Sequence, residues 1–492
     1  MKGMKMNNIS HFKELVICLL AGLVVLLPSC GRTAEKYYNY VAIYPTDSMD
    51  DIVWKAAHVV PSQRQLEWQK LELTAFVHFG LNTFAEKQWG SGSDNPELFN
   101  PTDFDPEQWV SVLKQAGFRS LLLTCKHHDG FCLWPSAYTD YDLTASPWKD
   151  GKGDVVKEVS EACRKYGLLF GVYLSPWDMH EKTYGTEQYN DYFVRQLTEL
   201  CGNYGELFEV WFDGAKGANA KAFTYDWQRY YKIIRTMQPK ANIAICGEDI
   251  RWVGNEAGKA RKCEYSVVPS SLKQCESIEK NSQQAENDTA KLQRVDTMDE
   301  DLGSRNVLKN NAYLSWYPAE VDVSIRKRWF YHKKDDKTVK SVKKLFKIYL
   351  NSVGNNCTLL LNIPPSDKGV ICSKDVRRLK ALGNKIADIT SNPVLEQNIG
   401  ELKRTDGYLE FNFDSPKKLK YFIISENLAY SQRIEKFDLY LKKANGKYKK
   451  AYSGTIVGSK KIVKLNKNAS GAILVIRQSR STPHIKSVGF YE

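Results

Sequence analysis

Asp213 ends an apolar run, "LFEVWFDG" at residues 207–214, and a glycine follows it. A carboxylate at the end of a buried strand costs several kcal/mol unless it is paired, so its presence needs a reason. One reason is structural, because Asp commonly caps the loop or helix that follows it. The other is chemical, because an ionised carboxylate can serve as a nucleophile or a base.

Polar side chains also follow other short apolar runs. His78 ends "FVHFG", and the remaining examples are His127, His128 and Asp129 after "SLLLTCK", Glu248 and Asp249 after "IAIC", and Glu320 after "YLSWYPA". A single histidine in such a place is more often a satisfied core residue than a functional one. The repetition at several predicted strand ends indicates one shared site.

This site could bind either a metal or a sugar. Imidazole and carboxylate are ordinary zinc or iron ligands, so His78, His127, His128 and Asp213 could hold an ion. Aromatic residues near the same strand ends favour a sugar, because their faces pack on the apolar side of a pyranose while His and Asp bond its hydroxyls. These aromatic residues are Trp89, Trp134, Tyr173, Trp211 and Trp316.

Residues 50–390 carry the pattern of a (β/α)8-like TIM barrel. Short runs rich in β-branched and aromatic residues alternate with longer amphipathic stretches that often end on Gly. Such a barrel places active residues at the carboxyl ends of its strands. The predicted strands are "LTAFVHFGL", "SLLLTCKHH", "LLFGVYLS", "LFEVWFDG", "ANIAICGED", "NAYLSWYPA" and "CTLLLNIPP". Residues 259–305 are polar and interrupt the pattern, so we expect an inserted loop on the rim.

Residues 395–492 form short β runs separated by turn residues, which predicts a C-terminal antiparallel β-sandwich. This segment has 19 Lys and Arg against 9 Asp and Glu, and therefore holds most of the chain's net charge of +13. A solvated lysine face explains the surplus better than a nucleic-acid site. We predict no nucleic-acid partner, and we expect the sandwich to brace the barrel.

Residues 1–30 have the features of a secretory signal: basic residues, an apolar run and then "PSC". The small residue before Cys30 resembles a bacterial lipoprotein box, in which Cys30 would carry the lipid. The alternative is a simple cleaved signal. The expectation is a lipoprotein of the bacterial cell envelope, periplasmic or on the outer membrane, that contacts membrane only through its anchor.

Six motifs together resemble the retaining α-L-fucosidases of glycoside hydrolase family 29. They are "FVHFG", "CKHHDGFCLWPS", "GVYLSPWD", "EVWFDGA", "WVGNEAG" and "LLLNIPPSDKGVI". The resemblance spans roughly residues 50 to 490. The stretch "DIRWVGNEAG" is similar to the branch that acts on α-1,3 and α-1,4 fucosides of the Lewis type.

The resemblance implies a retaining exo-α-L-fucosidase that acts on fucosylated oligosaccharides or glycoconjugates. It makes Asp213 the nucleophile and the Glu of "GNEAG", Glu256, the acid/base, with Glu248, Asp249 and Glu264 as the other candidates. The chemistry requires no cofactor and no metal. The substrate-binding residues implied are His78, Trp89, His127, His128, Trp134, Tyr173, Trp211, Arg251 and Trp316.

Two other functions stay open. An exo-glycosidase for a related sugar, such as a β-galactosidase-like enzyme, could use the same barrel, because fold does not fix substrate. A catalytically silent glycan-binding lipoprotein could keep the same pocket without turnover. Product analysis on a panel of glycosides separates the three.

Overall fold

The computed structural model describes residues 36–217, 220, 223–275, 299–402 and 407–492. The predicted leader and Cys30 lie outside these residues. Up to residue 362 the strands are β1 (Tyr40–Ala42), β2 (Leu73–Val77), β3 (Ser120–Lys126), β4 (Leu169–Leu174), β5 (Leu207–Phe212), β6 (Asn242–Ile245), β7 (Arg251–Trp252), β8 (Val267–Pro269), β9 (Tyr313–Trp316), β10 (Ala319–Ser324) and β11 (Thr358–Asn362).

The described helices are α1 (Met49–Ala56), α2 (Gln63–Gln69), α3 (Leu81–Phe84), α4 (Pro106–Gln115), α5 (Val155–Tyr166), α6 (Gln188–Asn203), α7 (Trp227–Met237), α8 (Arg305–Leu308), α9 (Val342–Ser352) and α10 (Ser373–Ala387). Local sequence fixes their ends. In α5 the Asp154 side chain accepts the Lys157 amide at the start, and Gly167 closes the helix with φ 69°. None of the described helices is long and apolar enough to cross a membrane.

Among the described residues, eight parallel strands form the central barrel in the order β6-β5-β4-β3-β2-β11-β10-β7. A parallel bridge between Ala244 and Ile250 brings β6 beside the start of β7, so the barrel is nearly closed. Every residue of β2, β3, β5 and β11 is buried, as expected for parallel strands covered on both faces. The predicted barrel class is confirmed.

One predicted barrel strand was wrong. The run "NAYLSWYPA" forms β9, which pairs antiparallel with β1 and β8 in a separate three-stranded sheet. The barrel strand is the next segment, β10, which had not been predicted because Glu320 and Asp322 interrupt its apolar pattern. Both acids are nevertheless buried. Glu320 therefore lies near the start of a barrel strand and not after its end.

The described part of the segment predicted as a long polar loop contains a strand. Within residues 259–275, Val267 to Pro269 form β8, and Val267 and Val268 are fully buried. Residues 276–298 lie outside the described part, so the expected rim loop stays a prediction there.

The C-terminal strands form one antiparallel sheet in the order β12-β17-β13-β16-β14-β15, which confirms the predicted antiparallel class. They are β12 (Pro393–Glu401), β13 (Tyr408–Glu426), β14 (Ile434–Lys442), β15 (Tyr448–Gly454), β16 (Lys461–Ser479) and β17 (His484–Tyr491). Register shifts interrupt the two 19-residue strands, β13 and β16, and side chains from the sheet enclose a core of their own. The predicted boundary near 390–395 stays a prediction, although α10 ends at Ala387 and β12 begins at Pro393.

Polar contacts fasten this sheet to the barrel side of the molecule. Arg305 donates two hydrogen bonds to Oε2 of Glu435, at 2.9 and 2.7 Å. Oδ1 of Asn356, after α9, accepts the Ser459 amide at 2.7 Å. These contacts are consistent with a bracing role.

Candidate active site

The central pocket is an open cleft at the carboxyl ends of the barrel strands, with a volume of about 870 Å³ including its mouth. Aromatic rings and polar groups line it in similar numbers, which suits a ligand with both apolar and hydroxylated faces. The aromatic residues are Phe76, Trp89, Tyr173, Trp177, Trp211, Trp252 and Trp329; the polar ones are His78, Gln88, His127, His128, Asp213, Glu256 and Asp322.

Asp213 follows β5 directly and is held at both of its carboxylate oxygens. Oδ1 accepts the Ala215 amide at 2.8 Å, and Oδ2 accepts the Tyr173 hydroxyl at 3.1 Å. The side chain is still 25% exposed, so it can meet a ligand. Burial, and next the Asp213 charge, raises the pKa of Tyr173 well above its usual range, which keeps the phenol protonated as the donor.

The three pocket histidines are buried and neutral at neutral pH. Burial lowers the pKa of His78 to about 3 and also lowers the pKa values of His127 and His128. The Asp213 carboxylate, with Oδ2 3.9 Å from Nε2 of His128, partly opposes this shift. A neutral imidazole both donates and accepts hydrogen bonds, which is the capacity that sugar hydroxyls require.

Neighbouring groups set which ring nitrogens carry protons. The Ser175 hydroxyl donates to the Trp177 carbonyl at 2.7 Å, so it can only accept from Nδ1 of His128, also at 2.7 Å. The Asn362 amide group donates to the Trp329 carbonyl, which leaves Oδ1 to accept from Nδ1 of His78 at 2.9 Å. In both histidines Nε2 is therefore the acceptor.

Glu256 lies in the loop after β7 and reaches the same pocket as Asp213. The indole of Trp329 donates to its Oε2 at 3.3 Å. A second carboxyl, Asp322, accepts the Trp252 indole at 2.9 Å. Burial, and next the Glu256 charge, raises the pKa of Asp322 well above its usual range.

The sequence profile of the α-L-fucosidase family matches residues 52–388, which are more than half of the chain. The chain belongs to the α-L-fucosidase family. It is accordingly a glycoside hydrolase, as had been predicted.

Relatives of known name or structure agree with this assignment. α-L-Fucosidase 1 of Arabidopsis thaliana is 37% identical over 466 residues, which are 88% of this chain and 87% of that protein. The crystal structure of a candidate α-L-fucosidase from Bacteroides ovatus is similar with a TM-score of 0.84 and 42% identity, over 93% of this chain and 78% of that one. A Ruminococcus gnavus fucosidase of glycoside hydrolase family 29, solved with fucose, gives a TM-score of 0.75 and 30% identity, over 88% and 95%.

The other three acid/base candidates, Glu248, Asp249 and Glu264, do not line this pocket. Glu248 is half-exposed beside Arg235. Asp249 is buried and paired with Arg64 and Arg235. Glu264, the last candidate, is buried in an ion pair with Arg251 and a second one with Arg261.

Three of the predicted substrate-binding residues also lie outside the pocket. The Trp134 indole donates to Glu199 at 2.8 Å, and Trp316 in β9 donates to Gln69 at 3.1 Å. Arg251 is buried, with its guanidinium on Glu264 and on backbone carbonyls. We therefore withdraw all three from the proposed set. The described residues contain no group of three or more His, Cys, Asp or Glu arranged to hold a metal.

Several pocket residues had not been predicted. Trp177 and Trp252 stand within quoted motifs, where their type was a usable signal. Trp329 follows the charged run "IRKR" and comes from a distant part of the chain. Ile245, at the end of β6, also lines the pocket and has a φ of 65°, an unfavourable angle for a β-branched residue. Its amide donates to the Ile250 carbonyl, within the link that nearly closes the barrel.

Proposed function

We propose that this chain is a retaining exo-α-L-fucosidase that releases L-fucose from α-1,3- or α-1,4-fucosylated glycans by double displacement. The observation that carries the proposal is that Asp213 and Glu256 line one aromatic pocket, while Glu248, Asp249 and Glu264 do not. A retaining hydrolase needs one nucleophilic carboxylate and one acid/base across the scissile bond.

In the first step, an oxygen of Asp213 attacks the anomeric carbon of fucose. The glycosidic bond breaks, and Glu256 gives its proton to the departing oxygen. The bond pair of electrons leaves with that oxygen, and a fucosyl ester of Asp213 forms. The Tyr173 hydroxyl and the Ala215 amide orient the attacking carboxylate.

In the second step, Glu256 takes a proton from water, which attacks the same carbon and releases fucose and free Asp213. The neutral histidines His78, His127 and His128 are suited to bond the sugar hydroxyls. Trp89 and Trp211 are suited to pack on its apolar face, because they line the same pocket, whereas the buried Tyr173 acts through its hydroxyl on Asp213.

The linkage proposal rests on the resemblance of "DIRWVGNEAG" to the branch acting on Lewis-type glycans. The tryptophans Trp89 and Trp177, whose ring centroids lie 6.3 Å apart, add aromatic surface that a branched aglycone could use. Release of fucose from a Lewis-type trisaccharide faster than from an aryl α-L-fucoside would support this preference. Release of galactose in its place, or of no sugar at all, would favour the alternative functions.

Azide rescue tests the roles of the two carboxylates. With Asp213→Gly, azide can replace the nucleophile, and a single displacement should give the β-fucosyl azide. With Glu256→Ala, azide attacks the fucosyl ester of Asp213, and the product should be the α-fucosyl azide. Asp322→Asn is the control, because it changes the other carboxyl of the pocket; rescue of Asp322→Asn but not Glu256→Ala would reassign the acid/base.

We also propose that the protein is a lipoprotein of the bacterial envelope, acylated at Cys30. The support is the sequence pattern alone. Mass spectrometry of the N-terminal peptide from the native host tests it, with Cys30→Ser as the unacylated control. A free peptide beginning near residue 31 in the wild type would point to a simple cleaved signal.

A further inference from the structure

The barrel interior, at the central pocket and below it, contains buried carboxyl groups that accept hydrogen bonds from tryptophan side chains. Three buried acids of the described barrel strands accept such bonds: Glu209 from Trp68 (3.0 Å), Glu320 from Trp211 (3.1 Å) and Asp322 from Trp252 (2.9 Å). Carboxyl groups that are buried without a cation are costly, so a role other than stability is worth seeking.

Glu320 contacts a tryptophan of the pocket, Trp211, without lining the pocket itself. It is 1% exposed and does not line the pocket. Its Oε1 has no hydrogen-bond partner among the described residues, so its one side-chain bond there is the one from Trp211. Burial, and next the charge of Glu209, raises the pKa of Glu320 well above its usual range.

Trp211 both donates to Glu320 and lines the pocket. Its ring lies against Tyr173, with centroids 5.3 Å apart and planes at 27°. The Tyr173 ring also stacks on His127, with centroids 5.7 Å apart and planes at 12°. The Tyr173 hydroxyl then donates to Oδ2 of Asp213. A short series of contacts therefore connects Glu320 to the proposed nucleophile.

We propose that Glu320 is a positioning residue for catalysis: by accepting a hydrogen bond from the Trp211 indole, it fixes the ring against which Tyr173 packs, and through Tyr173 the orientation of Asp213. This inference rests on the proposed function. A misplacement of about 1 Å at a reacting group can cost a hundredfold in rate, so a remote contact of this kind is able to matter.

The test compares Glu320→Met, Glu320→Gln and the matched control Glu209→Met. Methionine keeps the approximate volume but removes the acceptor, so Glu320→Met should lower kcat on the trisaccharide by tenfold or more, with little change in KM. Glutamine keeps an acceptor oxygen and imitates an uncharged carboxyl, so Glu320→Gln should stay within about threefold of the wild type. Glu209→Met removes the bond from Trp68, which is outside the pocket, and should lower Tm without lowering kcat.

A second measurement reads the contact without activity. The Trp211 indole N–H, assigned in TROSY spectra by its loss in Trp211→Phe, should exchange with solvent faster in Glu320→Met and at the wild-type rate in Glu320→Gln. If the wild type releases no fucose, the proposed function fails, and this exchange still tests the contact. Unchanged kcat and exchange in Glu320→Met, an equal fall of kcat in Glu209→Met, or no recovery in Glu320→Gln would each overturn the positioning role.

Discussion

Tyr173 lies on β4 and Asp213 directly follows the neighbouring strand β5, and the Tyr173 hydroxyl donates to Oδ2 of Asp213 at 3.1 Å. The tyrosine is fully buried, while the carboxylate keeps part of its surface exposed. The phenol therefore orients the carboxylate from behind without closing the side from which a sugar can approach. We therefore interpret the acid at the end of this apolar strand as the ligand-contacting group of the proposed function, although its Oδ1 also accepts the Ala215 amide as a turn residue would.

Removal of this hydroxyl tests its contribution. A hydrogen bond to a charged group is worth roughly 1.5–3 kcal/mol, so Tyr173→Phe should lower kcat about tenfold to a hundredfold. The ring contacts with Trp211 remain, and KM should change less. Tyr204→Phe is the matched control, because Tyr204 donates to Asp154 at the same 3.1 Å but away from the pocket. Equal losses of activity in both variants would contradict an orienting role.

The strand-end rule located much of the site from sequence. His78, His127, His128, Tyr173, Trp211 and Asp213 all reach the central pocket, because parallel strands deliver their carboxyl ends to one face of a barrel. The same rule predicted that Trp316 lies in the pocket, but Trp316 does not line it. Its strand, β9, belongs to another sheet, and strand pairing is a property of distant residues that a local pattern does not contain.

Strand β10 shows a second limit. Its sequence "AEVDVS" alternates acids with apolar residues, a pattern that indicates one solvated face. In the folded chain both acids are buried, and the indoles of Trp211 and Trp252 donate hydrogen bonds to Glu320 and Asp322. Burial of an acid can be predicted from the sequence only when the residue that donates a hydrogen bond to it is also known.

A turn glycine of the "HHDGF" motif gives a prediction about the same pocket. Gly130 has a φ of 84°, and an added Cβ would lie 2.4 Å from Oδ1 of Asp178. That acid is buried in an ion pair with Lys126, so it has little freedom to move. Gly130→Ala should therefore lower both Tm and kcat. Gly117→Ala is the control: Gly117 has a φ of 90° but open space around it, and should cost only about 1 kcal/mol of unfolding free energy.

The role of Glu256 predicts a dependence on the leaving group. An aryl fucoside with an acidic phenol needs little protonation as it departs, whereas a sugar alcohol needs much. Glu256→Gln should therefore lower the first-step rate far more on a Lewis-type trisaccharide than on the aryl substrate, by at least tenfold in the ratio of kcat/KM. Glu248→Gln, at the half-exposed position, should leave that ratio unchanged. A similar loss on both substrates in Glu256→Gln would contradict the assignment.

The lowered pKa of His78 predicts that the protein loses stability in acid. Its pKa falls to about 3 in the folded chain because it is buried, against an ordinary value of 6.5. Between these values the unfolded chain binds a proton that the folded chain does not, so the free energy of unfolding falls as pH falls from 6.5 to 3. The slope is at most about 1.4 kcal/mol per pH unit. Chemical denaturation of the wild type and His78→Gln should show this slope in their difference; parallel curves would refute it.

For Glu209 we predict the opposite pH dependence: the free energy of unfolding should fall as pH rises, in a higher range of pH. Burial raises the pKa of Glu209 to about 8, against an ordinary value of 4.5, although the Trp68 indole opposes the shift. Between pH 4.5 and 8 the folded chain holds a proton that the unfolded chain has lost. The stabilising effect is complete below 4.5 and is lost as pH rises to 8, by at most about 1.4 kcal/mol per pH unit. Glu209→Gln lacks the titrating group, so it should gain stability relative to the wild type as pH rises through this range. A constant difference between the two unfolding free energies would show that Glu209 is ionised in the folded protein.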